Sequence, residues 1–145
     1  MTHLQALGAF IIQHPLAIVV CMVAYMIIGS VWYGPLFMKP WARLTGMDKM
    51  DKAEMQKAMV PAMVTSLATA FVMAVVLGRG MQILAIQSWV DPLVICVVLW
   101  FPFTAMVMAQ NYAYTRKSVQ LLLIDAGYIL VSMFAISLIL FKTVL

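Results

Sequence analysis

The feature that most constrains this chain is a set of four long apolar runs. They cover residues 15–33, 60–77, 92–109 and 121–141, with short polar connections between them. Each run is close to the roughly 20 residues that an α-helix needs to cross a hydrocarbon layer of about 30 Å. A backbone inside that layer must satisfy its own hydrogen bonds, and none of the runs alternates in polarity as a membrane strand does. The runs therefore predict four membrane-spanning helices.

Composition supports the same class. Of the 145 residues, 66% are hydrophobic and 10% are charged, whereas soluble domains are about 45–50% apolar and about 25% charged. A soluble core of this size is too small to hide so much apolar surface, so much of that surface must face lipid. We therefore predict an all-α, polytopic membrane protein that forms one four-helix transmembrane domain over residues 1–145.

Charge predicts the orientation of this domain. Seven of the nine Lys and Arg residues fall in the first and third connections. These seven are Lys39, Arg43, Lys49, Lys52, Lys57, Arg116 and Lys117. Because cytoplasmic loops carry the excess of Lys and Arg, we expect both connections in the cytoplasm and both termini outside. The expected partner is then anionic lipid at the cytoplasmic face. This interaction accounts for the net charge of +4, so no nucleic-acid partner is expected.

The first connection also predicts a short amphipathic helix. Asp48 is a candidate N-cap, with Asp51 three residues later as in a capping box. Charges and methionines then alternate as far as the second apolar run, where Pro61 predicts a break or a kink.

An unusual stretch, WYGPLFMKPW, follows the first apolar run. Aromatic side chains favour the headgroup level, and a Gly-Pro pair turns the chain, so we predict a membrane exit with a tight turn. This cytoplasmic-interface motif comprises Trp32, Tyr33, Gly34, Pro35, Phe37 and Trp41.

The same stretch, followed by LTG, resembles the signature of an uncharacterised bacterial family of small four-helix membrane proteins, known only as a domain of unknown function. LLLIDAGYILV, residues 121–131, also resembles that family. The resemblance implies four helices and a bacterial inner membrane, and it implies no known reaction.

Asp125 is the one full charge well inside a predicted span. An ionised carboxylate at a span centre costs about 2.5–3.5 kcal/mol on insertion scales, and less near the interface, so this residue should face the bundle. Tyr128 and Ser132 follow on the same helix face and complete a candidate intramembrane polar site. Loop cations such as Lys39 and Arg116 are the expected partners of Asp125. Two interpretations stay open here, a structural tether and an ion or proton site.

Small residues recur every four positions in the second run and form a packing ridge. Such ridges let helix backbones approach closely in lipid. The ridge predicts packing against another helix of the chain, or against a second copy. Its members are Ala62, Ser66, Ala70, Ala74 and Gly78.

No catalytic constellation emerges from the sequence. Cys21 and Cys96 stand singly in different runs, and the sequence holds no HExxH motif or Gly-rich phosphate loop. Both histidines lie near the N-terminus, so we expect no metal and no cofactor. We predict a non-enzymatic interaction or accessory subunit, in a homo-oligomer or a larger membrane complex. The alternative is a homo-oligomeric ion or small-solute transporter that uses Asp125.

Overall fold

A computed structural model describes residues 2–144, apart from the side chain of His3. Most of these residues are helical, and no strand occurs among them. The elements are α1 (His3–Gln13), α2 (Pro15–Val31) with a π-helical turn (Trp32–Leu36), α3 (Met38–Thr45), a 3-10 turn (Met47–Lys49), α4 (Lys52–Ile83), α5 (Asp91–Trp100), a second π-helical turn (Phe101–Ala105), α6 (Met106–Tyr114) and α7 (Val119–Val144). Four segments are long and apolar enough to cross a membrane: Pro15–Leu36, Lys52–Ile83, Asp91–Tyr114 and Val119–Val144. The predicted all-α fold with four long apolar helices is confirmed.

Helix α7 is the centre of the bundle. Helices α2 and α5 pack on it antiparallel, and α4 packs on both α2 and α7. The cysteines mark two of these contacts, since Cys21 Sγ lies 3.9 Å from the Ile136 carbonyl oxygen and Cys96 Sγ lies 3.5 Å from that of Met133. The two cysteines, which stand singly in different apolar runs, are therefore buried where helices pack together.

The two ends of the bundle differ in charge. One end holds α3, the turn after it, the start of α4 and the connection from α6 to α7, and it carries the seven cations named above. We call this the basic end. The opposite end holds α1, the connection from α4 to α5 and the last turn of α7.

Helix α4 begins differently from the prediction. Its N-cap is Asp51 instead of Asp48, because Asp51 forms the complete capping box with Glu54. The Glu54 amide donates to Asp51 Oδ1 at 2.8 Å, while Asp48 lies in the preceding 3-10 turn. Of the predicted break or kink at Pro61, the break is wrong, since the helix continues through Pro61 to Ile83, and the kink stays a prediction. The predicted amphipathic helix is thus the first part of α4.

A second helix in the same connection was not predicted. Helix α3 spans only Met38–Thr45 and ends at Gly46, whose φ of 77° is left-handed. Glycine takes that conformation without a steric penalty, which turns the chain towards α4.

The small-residue ridge divides into two halves. Ala70 and Ala74 are fully buried, and Gly78 lies so close to the Phe10 ring that a Cβ atom would overlap it. Ala62 is exposed and Ser66 is half-buried. The C-terminal half of the ridge therefore packs inside the chain.

We predict that Ala74→Leu destabilises the bundle, because a larger side chain at a fully buried site forces the helices apart. Overpacking of this kind costs about 1–3 kcal/mol. Val76→Leu on the exposed side of α4 is the control, since Val76 is 55% exposed. The free energy of unfolding, measured by adding a denaturing detergent to mixed micelles, should fall only for Ala74→Leu. Equal values for the two variants would contradict close packing at Ala74.

Candidate functional site

The exit from α2 is built by the Gly-Pro pair. Pro35 has no amide hydrogen to continue the α-helical ladder, and Gly34 leaves helical dihedral angles with φ −97° and ψ −109°. The amide of Phe37 instead donates to the Trp32 carbonyl oxygen at 2.9 Å, five residues back. This π-helical turn redirects the backbone into α3, while Trp32 and Tyr33 reach α7.

The Asp125 carboxylate accepts two tyrosine hydrogen bonds. The Tyr33 hydroxyl donates to Oδ1 at 2.9 Å, and the Tyr112 hydroxyl donates to Oδ2 at 2.6 Å. Hydrogen bonds to an ionised acceptor are about twice as strong as neutral ones. One tyrosine comes from the end of α2 and the other from α6, so one carboxylate joins three of the four long helices.

Two tryptophans bond the backbone on either side of Asp125. The Trp32 indole N–H donates to the Ile124 carbonyl oxygen at 3.0 Å, and the Trp100 indole N–H donates to that of Ala126 at 2.8 Å. A buried indole N–H needs such a partner. We call the five side chains of Trp32, Tyr33, Trp100, Tyr112 and Asp125 the Asp125 cluster.

The expected cation partners of Asp125 are not its hydrogen-bond partners. Both of its oxygens accept from tyrosines, and a nearby cation, Lys117, lies over the Tyr112 ring with its Nζ 4.9 Å from the ring centroid. The physical reason is depth, because Asp125 lies below the loops and a tyrosine ring spans that gap without placing a second charge in the bundle. Lys117 thus contacts the ring of a tyrosine that donates to Asp125.

Tyr128 packs beside the cluster. Its ring lies edge-on to Tyr33 and to Tyr25, with centroid distances of 5.1 Å and 5.2 Å, and its hydroxyl donates to the Tyr25 carbonyl oxygen at 3.4 Å. Gly29 gives this hydroxyl room, because a Cβ there would come within 3.0 Å of it. Tyr128 therefore supports the Tyr33 ring without touching Asp125.

Ser132 is separate from the cluster. Its side chain is fully buried, and within residues 2–144 its hydroxyl has no hydrogen-bond partner. The three residues of the predicted polar face of α7 thus have different roles. Asp125 accepts hydrogen bonds from two other helices, and Tyr128 packs against the Tyr25 and Tyr33 rings. Ser132 does neither.

The cytoplasmic-interface motif also divides by role. Trp32 and Tyr33 belong to the cluster, and Gly34 and Pro35 shape the turn. Phe37 stacks on Trp32 at 4.8 Å, and Trp41 stacks on Tyr33 at 5.1 Å between ring centroids. The motif therefore holds the position of the two cluster residues that α2 supplies.

Among the residues that the structure describes, no group of three His, Cys, Asp or Glu side chains is placed to hold a metal ion. Chemically, the Asp125 cluster is a set of satisfied hydrogen bonds around one carboxylate.

One protein family matches the chain, and its description reads "Protein of unknown function (DUF1761)". The match covers residues 16–141. The chain belongs to this family. The matched range includes all or nearly all of each long helix and every residue of the Asp125 cluster. No match was found among curated proteins or among solved structures.

Sequence reasoning missed two residues of the cluster in this DUF1761 chain. From the sequence, Trp100 is interpreted as filling a gap between helices and Tyr112 as lying at the membrane interface. In the structure, both donate hydrogen bonds to α7, Trp100 to the Ala126 carbonyl oxygen and Tyr112 to Asp125. A signal for Tyr112 exists, because Tyr112 and Asp125 are only 13 positions apart on antiparallel helices joined by the 115–118 connection, so the end of α6 lies near the first turns of α7. No comparable signal links Tyr33 to Asp125, which are 92 positions apart.

We predict that Tyr33→Phe and Tyr112→Phe each lower the free energy of unfolding of this DUF1761 protein by about 1–3 kcal/mol, since each leaves a charged acceptor short of a donor. A double-mutant cycle of Tyr33→Phe with Asp125→Asn should give a coupling energy of about 1 kcal/mol or more. Titration of mixed micelles with a denaturing detergent measures both quantities.

Tyr114→Phe is the matched control, because Tyr114 is 83% exposed and exposed changes cost less than about 0.5 kcal/mol. If Tyr33→Phe were as mild as Tyr114→Phe, the bond to Asp125 would have no structural role.

Proposed function

We propose that this protein is a non-catalytic, membrane-embedded interaction subunit that self-associates through the N-terminal half of α4. The observation that carries the proposal is the uneven packing of that helix. Residues 70–83 contain its buried positions, whereas residues 52–69 are exposed except for Met55 and Ser66, which are half-buried. Half of a long apolar helix thus has little contact with its own chain.

The exposed half continues the pattern of the buried half. Ala62 and Ser66 keep the spacing of Ala70 and Ala74, which pack directly against the neighbouring helices. In lipid, helices associate by close contact of small residues and not by a hydrophobic force, since lipid tails are as apolar as leucine. The exposed half therefore offers a second helix the same kind of surface that the buried half uses within the chain.

Apolar grooves flank α4 on both sides. A groove of 700 Å³ separates α4 from α5, with Ile129 and Met133 of α7 among its lining residues, and another of 470 Å³ lies between α2 and α4. On α4 these grooves are lined by residues between Leu67 and Leu77, so a helix packed on Ala62 and Ser66 in a two-fold dimer would lie next to the start of the grooves. This favours a second copy over a flat lipid contact.

The alternative, an ion or small-solute transporter that uses Asp125, has less support. A carboxylate has about four acceptor positions, and here each oxygen already accepts a hydrogen bond from a tyrosine, so a transported ion would share Asp125 with two donors or displace them. Solute flux into proteoliposomes that Asp125→Asn abolished would replace the interaction role with this alternative.

We propose a plasma-membrane location with the basic end in the cytoplasm and both termini outside. The cation excess at the basic end supports this orientation. A cysteine added after Leu145 should react with a membrane-impermeant thiol reagent on intact cells, because this orientation places the C-terminus outside. Cys21 and Cys96 are fully buried, so they should stay unlabelled. Labelling only after cell lysis would reverse the orientation.

We predict that Ala62→Cys forms disulfide-linked dimers in native membranes under mild oxidation. In a two-fold dimer through α4, the two copies of residue 62 lie near the axis, within the 4.4–6.8 Å between Cα atoms that a disulfide requires. Non-reducing electrophoresis measures the dimer fraction.

Val64→Cys is the control, because Val64 is 61% exposed and lies two positions from Ala62, on the other side of the helix. Equal cross-linking of the two variants, or none in either, would contradict self-association through the ridge.

A further inference from the structure

A cavity of 590 Å³ lies at the basic end between α3, the turn after it and the first turns of α4. Its walls include the aromatic rings of Tyr33 and Trp41 and the flexible side chains of Met47 and Met55. We call it the α3 cavity. It is separate from the apolar grooves along α4, because it opens where the chain leaves the apolar part of the bundle.

Two cations and one acid line the α3 cavity. Lys39 and Arg43 come from α3, one turn apart, and Asp48 comes from the 3-10 turn after it. The balance is one net positive charge. Arginine presents a fork of donors that fits phosphate oxygens, and lysine adds a point charge. The polar side of the cavity thus suits a singly charged phosphate group.

The aromatic wall is fixed before any ligand binds. The Tyr33 ring packs between Trp41 and Tyr128, with centroid distances of 5.1 Å to each. Its hydroxyl is held by Asp125 at 2.9 Å. A wall held on three sides loses little freedom on binding, which favours affinity. The methionines opposite it adapt their shape to an apolar group.

We propose that the α3 cavity binds the phosphate headgroup of an anionic phospholipid. The phosphate would contact Lys39 and Arg43, while the glycerol and upper acyl chain would lie against Trp41, Met47 and Met55. The apolar walls favour a lipid over soluble phosphate, since inorganic phosphate gains nothing from aromatic and thioether surface. The level of the cavity also fits, because aromatic residues and cations together mark the headgroup region.

The test is native mass spectrometry of the full-length protein released from neutral-detergent micelles that contain equal amounts of phosphatidylglycerol and phosphatidylcholine. We expect one phosphatidylglycerol per chain to be retained in preference to phosphatidylcholine. Lys39→Gln/Arg43→Gln should reduce the retained fraction at least fivefold, since each cation near an anionic lipid contributes about that factor.

Lys49→Gln/Lys52→Gln is the matched control. It removes the same charge from the same connection, but neither residue lines the α3 cavity. Equal losses in the two double variants would overturn the proposal, because the attraction would then depend on net charge alone.

Two further measurements guard against misfolding and against the wrong anion. Ala42→Phe fills the cavity at unchanged charge, so it should also release the lipid, and full retention would contradict the proposal. Inorganic phosphate at millimolar concentration should leave the bound lipid in place. Displacement of the lipid by phosphate would assign the cavity to a soluble anion and would overturn the proposal that it binds a phospholipid.

Discussion

The Asp125 carboxylate is the constraint on which the rest of this fold depends. A charged group within an apolar bundle is costly unless donors surround it, and lipid supplies none. Here the donors are hydroxyls on the end of α2 and on α6, and they reach opposite oxygens of the same carboxylate. The two helices and α7 must therefore converge at the basic end. Convergence at one end then determines where the bundle is closed and where it is open.

The helix that takes no part in this convergence is α4. It is held at the opposite end by Ala70, Ala74 and Gly78, where small residues allow close contact with α2, α7 and Phe10. Towards the basic end its residues 52–69 are exposed apart from Met55 and Ser66, and the apolar grooves on its two sides lie beside its middle part, between Leu67 and Leu77. The exposed half of α4, through which we propose self-association, thus lies at the end where Asp125 joins the other three long helices.

Tyr33 connects the Asp125 cluster with the α3 cavity. Its hydroxyl holds Asp125 inside the bundle, and its ring forms a wall of the α3 cavity outside it. A lipid bound against that ring would contact the residue that ties α2 to α7. The π-helical turn at Gly34 and Pro35 makes this double role possible, because it turns the backbone away immediately after Tyr33.

The sequence by itself determined the class of the protein and the four long apolar helices. It also identified Asp125 as a residue that is costly to place inside an apolar bundle. These follow from local rules, since the thickness of a membrane sets helix length and the cost of a buried carboxyl singles out Asp125 wherever its partners are. The WYGPLFMKPW stretch also pointed to a family of unknown function, and the chain belongs to such a family. The charge pattern separated the two ends before any contact was known.

Only the tertiary structure decided which groups meet. The sequence pointed to loop cations for Asp125, whereas Tyr33 and Tyr112 supply the donors, and it left open which half of the small-residue ridge is buried. The predicted N-cap of α4, Asp48, lies three residues before the observed one, Asp51. The reason is similar, since both residues satisfy the local sequence pattern of an N-cap. A sequence pattern gives the length of a helix and its costly residues, but the rotation of each helix about its axis is set by packing against all the others. That rotation brings residues 92 positions apart into contact.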